Sequence, residues 1–305
     1  MNWDVAHKVA AIAAVQAHRD LAVDRTGYVD VFAALRAAGV VGIARPMPRL
    51  FGVYYARTDN GPGVLLNASL DIVTQRHTAA HELGHHRLDH RTAYDQELDR
   101  AARWGDGSWP DEERTAEAFA AWFLMPPPAI TAALARTGTT RPRGPEDAYQ
   151  VARWLGTSYA GTVNHMQRLR LLGRETAAAW LKIPPAALKS ALAGTPVPPG
   201  THVHSVGAGA HRAVLRVDAG DLVVLQLPGA RFNTLPDTVV PAEPSPAGPG
   251  QLALDDPGTR AAVRVTDRLH GNAVLGVEVP GQDEPFVLTL QRQAPRAGIE
   301  TLWPA

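Results

Sequence analysis

The sequence has no cysteine among its 305 residues. That absence removes disulfides and thiolate metal sites together, so any metal has to be held by histidine and carboxylate. An excess of one charge is also missing, with Lys plus Arg and Asp plus Glu at 30 each. No global field therefore draws the chain to nucleic acid or to an anionic membrane, and any such contact has to be local. Nowhere is there a run of about eighteen apolar residues to span a bilayer. The N-terminal stretch MNWDVAHKVAAIAAVQAHRD carries Asp4, His7 and Lys8 ahead of a short Ala/Val segment. It reads as an amphipathic helix rather than a signal peptide, and the cytoplasm is the expected compartment.

What is present is enough for more than one core. The length exceeds the roughly 100 to 200 residues of a typical domain, so two or three domains are expected, and the pattern along the chain divides into three parts. Residues 1–140 mix helix and strand signals: VDVFAALRAAGVVGI has helical spacing, and LFGVYYA and GVLLN read as a β-hairpin. Within the same part, SLDIVTQRHTAAHELGHHRL is long enough for a helix, with Ser69 or Asp71 as its N-cap, and EERTAEAFAAWFLMP is a second helix stopped by Pro126, Pro127 and Pro128. Residues 141–198 read as helical throughout. There PEDAYQVARWLG and SYAGTVNHMQRLRLLG flank a Gly156-Thr157-Ser158 turn, the spacing of a helix-turn-helix. Residues 199–305, beyond the proline-bearing GTPVPPG, read as a mostly β domain built from AVLRVDA, DLVVLQL, AAVRVTD, AVLGVEV and FVLTLQR, with VVPAEPSPAGPGQ as an exposed loop. The fold class expected is α+β.

The densest chemistry lies in RHTAAHELGHHRLDH, residues 76–90, with five histidines and one glutamate in fifteen positions. His81-Glu82-Leu83-Gly84-His85 matches H-E-x-x-H. Residues four apart share a helix face, so both imidazoles can bind one Zn²⁺ while Glu82 reaches a water beside it and serves as general base. A third ligand is needed. The metzincin pattern fails, because Leu88 stands where a glycine is required and His90 is one residue out of register. The second helix offers Glu112, Glu113 and Glu117, of which Glu113 and Glu117 share a face. One of these two could ligate the metal in a gluzincin-like set, while the other holds a ligand histidine through its far ring nitrogen.

QRHTAAHELGHHRL followed by ERTAEAFAAWFLMP resembles the ImmA/IrrE metallopeptidases, called PprI in deinococci, over about residues 25–130. The resemblance implies a zincin-like peptidase domain with His81, His85 and Glu113 on zinc (Mn²⁺ being another divalent option) and Glu82 as the base. It further implies a cytoplasmic, site-specific endopeptidase. Its protein substrate would be a helix-turn-helix repressor whose cleavage derepresses stress-response or mobile-element genes. One branch of the family carries a GAF-like sensor as third domain, whereas the pattern here is nearly all β.

Around the core set, Glu117, His77, His86 and Tyr55 are candidates for supporting or substrate-contacting roles. His77 suits a packed or supporting role, and His86 and His90 read most simply as solvated polar-face residues. Of the adjacent Tyr54 and Tyr55, which alternate across a strand, one faces the cleft. Two other readings stand beside the peptidase: a DNA-binding regulator with a structural zinc, and a protease with a non-repressor target. The arginines Arg168, Arg170 and Arg174 lie late in the second helix of the pair rather than at the end that usually reads bases, so DNA contact is expected to be weak or absent.

Overall fold

The apolar runs LFGVYYA and GVLLN form the centre of a five-stranded sheet in the computed structural model, which describes residues 1–58, 61–91, 93–96, 109–232, 234–242, 261–293 and 300–301. The strands are β1 (Val41–Arg45), β2 (Leu50–Thr58), β3 (Gly61–Asn67), β4 (Ala93–Gln96) and, from the far end of the chain, β13 (Glu300–Thr301). Their order is β13-β1-β3-β2-β4. β2 and β3 make the antiparallel hairpin, with Tyr54 opposite Val64, and β1 runs parallel to β3, with Ile43 opposite Leu65. This sheet belongs to a first compact unit, Met1–Ala129 with Leu155–Ser158 and Pro295–Ala305.

Helix α1 (Trp3–Asp20) is capped by the Asn2 side chain, which accepts from the Val5 N–H. A short α2 (Val31–Ala37) follows, capped by Asp30. The exit from β3 is fixed by Asn67, which is buried. Its amide donates to the carbonyls of Met47 and Leu50, and its oxygen accepts from the N–H groups of Met47 and Ser69. A buried amide so fully bonded locks the turn that starts α3 (Ile72–Arg87). Of the two cap candidates Asp71 is the one used, accepting from the Thr74 N–H at 3.0 Å.

α3 is buried nearly all round, because it lies against β2 on one side and α4 (Asp111–Leu124) on the other, and α1 packs on α4 in turn. Two glycines permit that approach. A Cβ on Gly84 would stand 3.1 Å from Ala116 Cα of α4, and one on Gly52 would stand 2.5 Å from Thr78 Cγ2 and 2.7 Å from Glu82 Oε1. α4 stops at Leu124, ahead of the proline run, and α5 (Pro127–Arg136) follows it. The Leu155–Ser158 turn is held to α3 by the buried Arg76. Its guanidinium donates to the carbonyls of Gly156 and Leu155 and lies 3.7 Å from the Tyr28 ring centroid.

The second unit is Ile130–Trp154 with Tyr159–Ala294. Its helices are most of α5 and of α6 (Pro145–Leu155), then α7 (Tyr159–Arg168), α8 (Arg174–Leu181) and α9 (Pro185–Ala193). Gly156 at φ +65 breaks α6 from α7. α8 falls in the stretch expected to be helical, but the sequence does not delimit it as a separate helix. Its RETAAAWL buries only Ala177 and Trp180, too few apolar positions to show a period.

Two four-stranded sheets complete the unit. One has the order β5-β7-β10-β9, from β5 (Val203–Val206), β7 (Leu222–Leu225), β10 (Ala262–Val265) and β9 (Val239–Ala242). The other has the order β6-β12-β11-β8, from β6 (Val214–Val217), β12 (Phe286–Arg292), β11 (Asn272–Glu278) and β8 (Arg231–Phe232). β11 and β12 alternate buried residues with exposed or half-buried ones, whereas β7 is buried at all four positions. Leu222 and Val224 of β7 pack in a cluster with Ala193 of α9, which covers that face and explains the unbroken apolar run LVVL. α6 is bonded to β5: the Gln150 amide donates to the Val203 carbonyl and accepts from the Ser205 N–H, and the Val203 N–H donates to the Tyr149 hydroxyl. These bonds bridge the division expected at residue 198. In VVPAEPSPAGPGQ, Val239–Ala242 form β9, and residues 243–251 lie outside the described residues.

Candidate metal centre

α3 carries His77, His81 and His85 at intervals of four on one face, and that face meets α4 where Glu113 and Glu117 also stand four apart. His81 Nε2 is 3.1 Å from Glu113 Oε2, His85 Nε2 is 3.4 Å from Glu113 Oε1, and the two Nε2 atoms are 3.1 Å apart. One donor atom from each of the three residues lies within 4.8 Å of the others, a grouping that could hold a metal ion. Ligands placed tetrahedrally about a Zn²⁺ at about 2.0–2.1 Å stand roughly 3.3 Å from one another. The three separations fit that spacing. Both histidines are buried and Glu113 is about one-fifth exposed, so the cluster opens to solvent on the carboxylate side.

Glu117 takes the neighbouring role. Both its oxygens lie 3.0 Å from His77 Nε2, and Oε2 is 3.4 Å from His81 Nδ1, the ring nitrogen facing away from Glu113. Burial alone would raise the Glu113 carboxyl, but the bonds with His81 and His85 outweigh it and hold that group well below the usual carboxylate range. Glu117 shows the same balance, with His77 as the largest opposing influence. Burial lowers His85 more than its bond to Glu113 raises it. The arrangement therefore favours ionised carboxylates around a neutral His85, the charge state a cation-binding site requires.

Residues 45–160 match the profile of a peptidase family, Peptidase_M78, described as the IrrE N-terminal-like domain. The chain carries an IrrE N-terminal-like domain. The match runs from the last residue of β1 to the start of α7 and so contains both helices of the histidine and glutamate cluster. This family supports a metallopeptidase. No curated protein matches the chain. Among solved structures, similarity is found to a cysteine protease inhibitor from Entamoeba histolytica, at 18% identity and a TM-score of 0.23, covering 32% of this chain and 100% of that one. The solution structure of amebosin is similar at 16% identity and a TM-score of 0.20, covering 31% of this chain and 100% of that one.

In the IrrE-like domain the remaining candidates divide. Glu82 is fully buried on the side of α3 that meets β2 at Gly52. Tyr54, rather than Tyr55, is the tyrosine against the helix. Its ring stacks at 6.2 Å on His85 and its hydroxyl is 3.2 Å from His86 Nδ1, while Tyr55 is 41% exposed on the other face of β2. His86 is half-buried against Tyr54 instead of being solvated. His90, also expected in solvent, has its Nδ1 3.0 Å from His85 Nδ1. Burial, and next the neighbouring His85, push it down to about 4. Gly52 and Gly84 are the residues that pattern alone does not single out. A glycine opposite a buried carboxylate leaves no periodic signal.

Proposed function

We propose that the IrrE-like domain is a zinc-dependent, zincin-like endopeptidase. His81, His85 and Glu113 hold the metal, with Mn²⁺ as another divalent option, and Glu82 is the general base. The observation that carries this reading is the convergence of two imidazole nitrogens and one carboxylate oxygen within 4.8 Å. When bound there, a divalent cation supplies Lewis acidity toward a peptide carbonyl and acidifies water. The chain's own part is to orient and to move a proton. Glu117 and His77 fix the His81 ring, Tyr54 packs on His85, and Glu82 accepts the proton of the attacking water and delivers it to the leaving amine. A structural zinc normally has four protein ligands, and the described residues supply three, which favours catalysis over the regulator reading.

The substrate we infer is a protein, specifically a helix-turn-helix repressor, as the resemblance to the ImmA/IrrE peptidases implies, and the consequence of cleavage is derepression of stress-response or mobile-element genes. The α6–α7 pair, helix-turn-helix-like in its connection, then serves to dock that substrate rather than to read DNA, and the mostly β remainder serves a regulatory or positioning role. A cytoplasmic setting suits such a target, and among the described residues no single helix is long and apolar enough to cross a membrane. The test is co-incubation of a small helix-turn-helix repressor encoded beside this chain with the wild-type protein and with Glu82→Gln, followed by mass spectrometry. Discrete fragments with the wild type alone support the reading. Identical fragments with both overturn the assignment of Glu82, and an intact repressor with both overturns the substrate.

A further inference from the structure

Just beyond α3 the chain turns back on itself. Leu88 N–H donates to the Gly84 carbonyl, Asp89 sits at φ +56, and the His90 N–H donates to the His85 carbonyl at 3.0 Å. A left-handed residue at this point reverses the backbone so that the side chain that follows lies beside the last turn of the helix. The side chain delivered there is an imidazole. Its ring meets His85 edge to face, centroids 5.0 Å apart, with the two Nδ1 atoms at 3.0 Å.

Two ring nitrogens at that distance share one proton, and the metal site decides which nitrogen carries it. If His85 offers Nε2 to a cation, its proton stays on Nδ1, and His85 Nδ1–H donates to His90 Nδ1. His90 must then carry its proton on Nε2, which lies 3.5 Å from Thr115 Oγ1. The Thr115 hydroxyl can accept that bond because its own hydrogen goes to the carbonyl of Asp111 at 3.0 Å or of Glu112 at 2.9 Å. Every donor in the chain meets an acceptor. The relay ends on the carbonyls immediately before Glu113, in the first turn of α4.

We propose that His90 is a positioning residue for the metal site, holding His85 from its far ring nitrogen and tying that ligand to the helix that presents Glu113. It does for His85 what Glu117 does for His81. Its register also explains why it is no third ligand, since its Nδ1 faces the side of His85 opposite Nε2 and its Nε2 faces Thr115.

The inference rests on the ligand set proposed above, and the test separates the two. Zn²⁺ affinity is measured by competition with a chromophoric chelator, and the Co²⁺-loaded visible spectrum is recorded, for the full chain, His90→Ala, His90→Gln and Thr115→Val. His90→Ala weakens Zn²⁺ binding roughly 10- to 100-fold and changes the Co²⁺ spectrum, as expected on losing an outer partner of a ligand. His90→Gln recovers most of the affinity, because its amide oxygen can accept from His85 Nδ1–H. Thr115→Val, which leaves His90 in place, weakens binding without lowering the metal-free unfolding temperature, and so reads the relay independently if His90→Ala does not fold. Wild-type affinity and spectrum in His90→Ala, or no recovery in His90→Gln, overturns the proposal while leaving the ligand set intact. A wild-type chain that takes up no Zn²⁺ overturns both.

Discussion

That His81 and His85 come together was legible in the sequence, because a spacing of four puts imidazoles on one helix face. Which glutamate of α4 meets them was not legible from spacing, since Glu113 and Glu117 share a face; the resemblance pointed to Glu113, and the distances put that residue beside both imidazoles. His90 was illegible for another reason. Its contact with His85 depends on the left-handed turn at Asp89, and linear spacing shows only that it misses the metzincin register. Tyr54 and Tyr55 show the same limit, because alternation says that they point to opposite faces and the covering helix decides which one is inside. At this scale we predict that Glu82→Gln keeps its metal and its fold but cleaves at least about 100-fold more slowly, the usual loss when a general base is removed. Residual cleavage within about tenfold of wild type, measured by initial rates on the same substrate, would contradict that role.

Hairpin, helix pair and strands were readable as elements, because each carries its own period, whereas the closeness of α3 to α4 was not. That closeness depends on Gly84, whose Cβ as alanine would press on the Ala116 backbone at 3.1 Å, atoms that cannot swing aside. Alanine in place of glycine adds up to about 1 kcal/mol of helix propensity, while overpacking costs about 1–3 kcal/mol. Gly84→Ala is therefore expected to lower the thermal midpoint and weaken Zn²⁺ binding, because α4 moves away with Glu113. A more stable variant with unchanged affinity would show that the helices are free to give. β7 was read correctly as a strand, but its double-sided burial needed the neighbour α9, which its own residues do not announce.

For the whole molecule, the sequence suggests three consecutive parts, and the structure adds pairings between residues far apart in the chain. β13, the last described strand, pairs with β1 in the first unit, placing Thr301 opposite Ile43. The α6–β5 bonds join helices and strands in the second unit. Nothing in composition marks either event, because both depend on partners distant in sequence. The second unit also contains a buried polar group around Asp221. Asp221 lies 3.2 Å from His204 and accepts from the His202 N–H, and burial, then the Arg153 charge, hold His202 down to about 3. A histidine lowered on folding costs stability as pH drops below its unfolded value of about 6.5, because the unfolded chain binds a proton there that the folded chain binds only near about 3. His202→Gln should therefore flatten the decline of unfolding free energy between about pH 6.5 and 4, measured by urea titration. An unchanged slope would mean that His202 titrates normally in the folded chain.

The central claim is that His81, His85 and Glu113 form a metal site in which Glu117 only supports. Metal content by mass spectrometry of the purified wild type, Glu113→Ala and Glu117→Ala tests it most directly. The account predicts about one Zn²⁺ per wild-type chain, loss of metal in Glu113→Ala, and retention at reduced affinity in Glu117→Ala, because removing a ligand costs more than removing its partner. Undiminished metal in Glu113→Ala, or complete loss in Glu117→Ala alone, would contradict it.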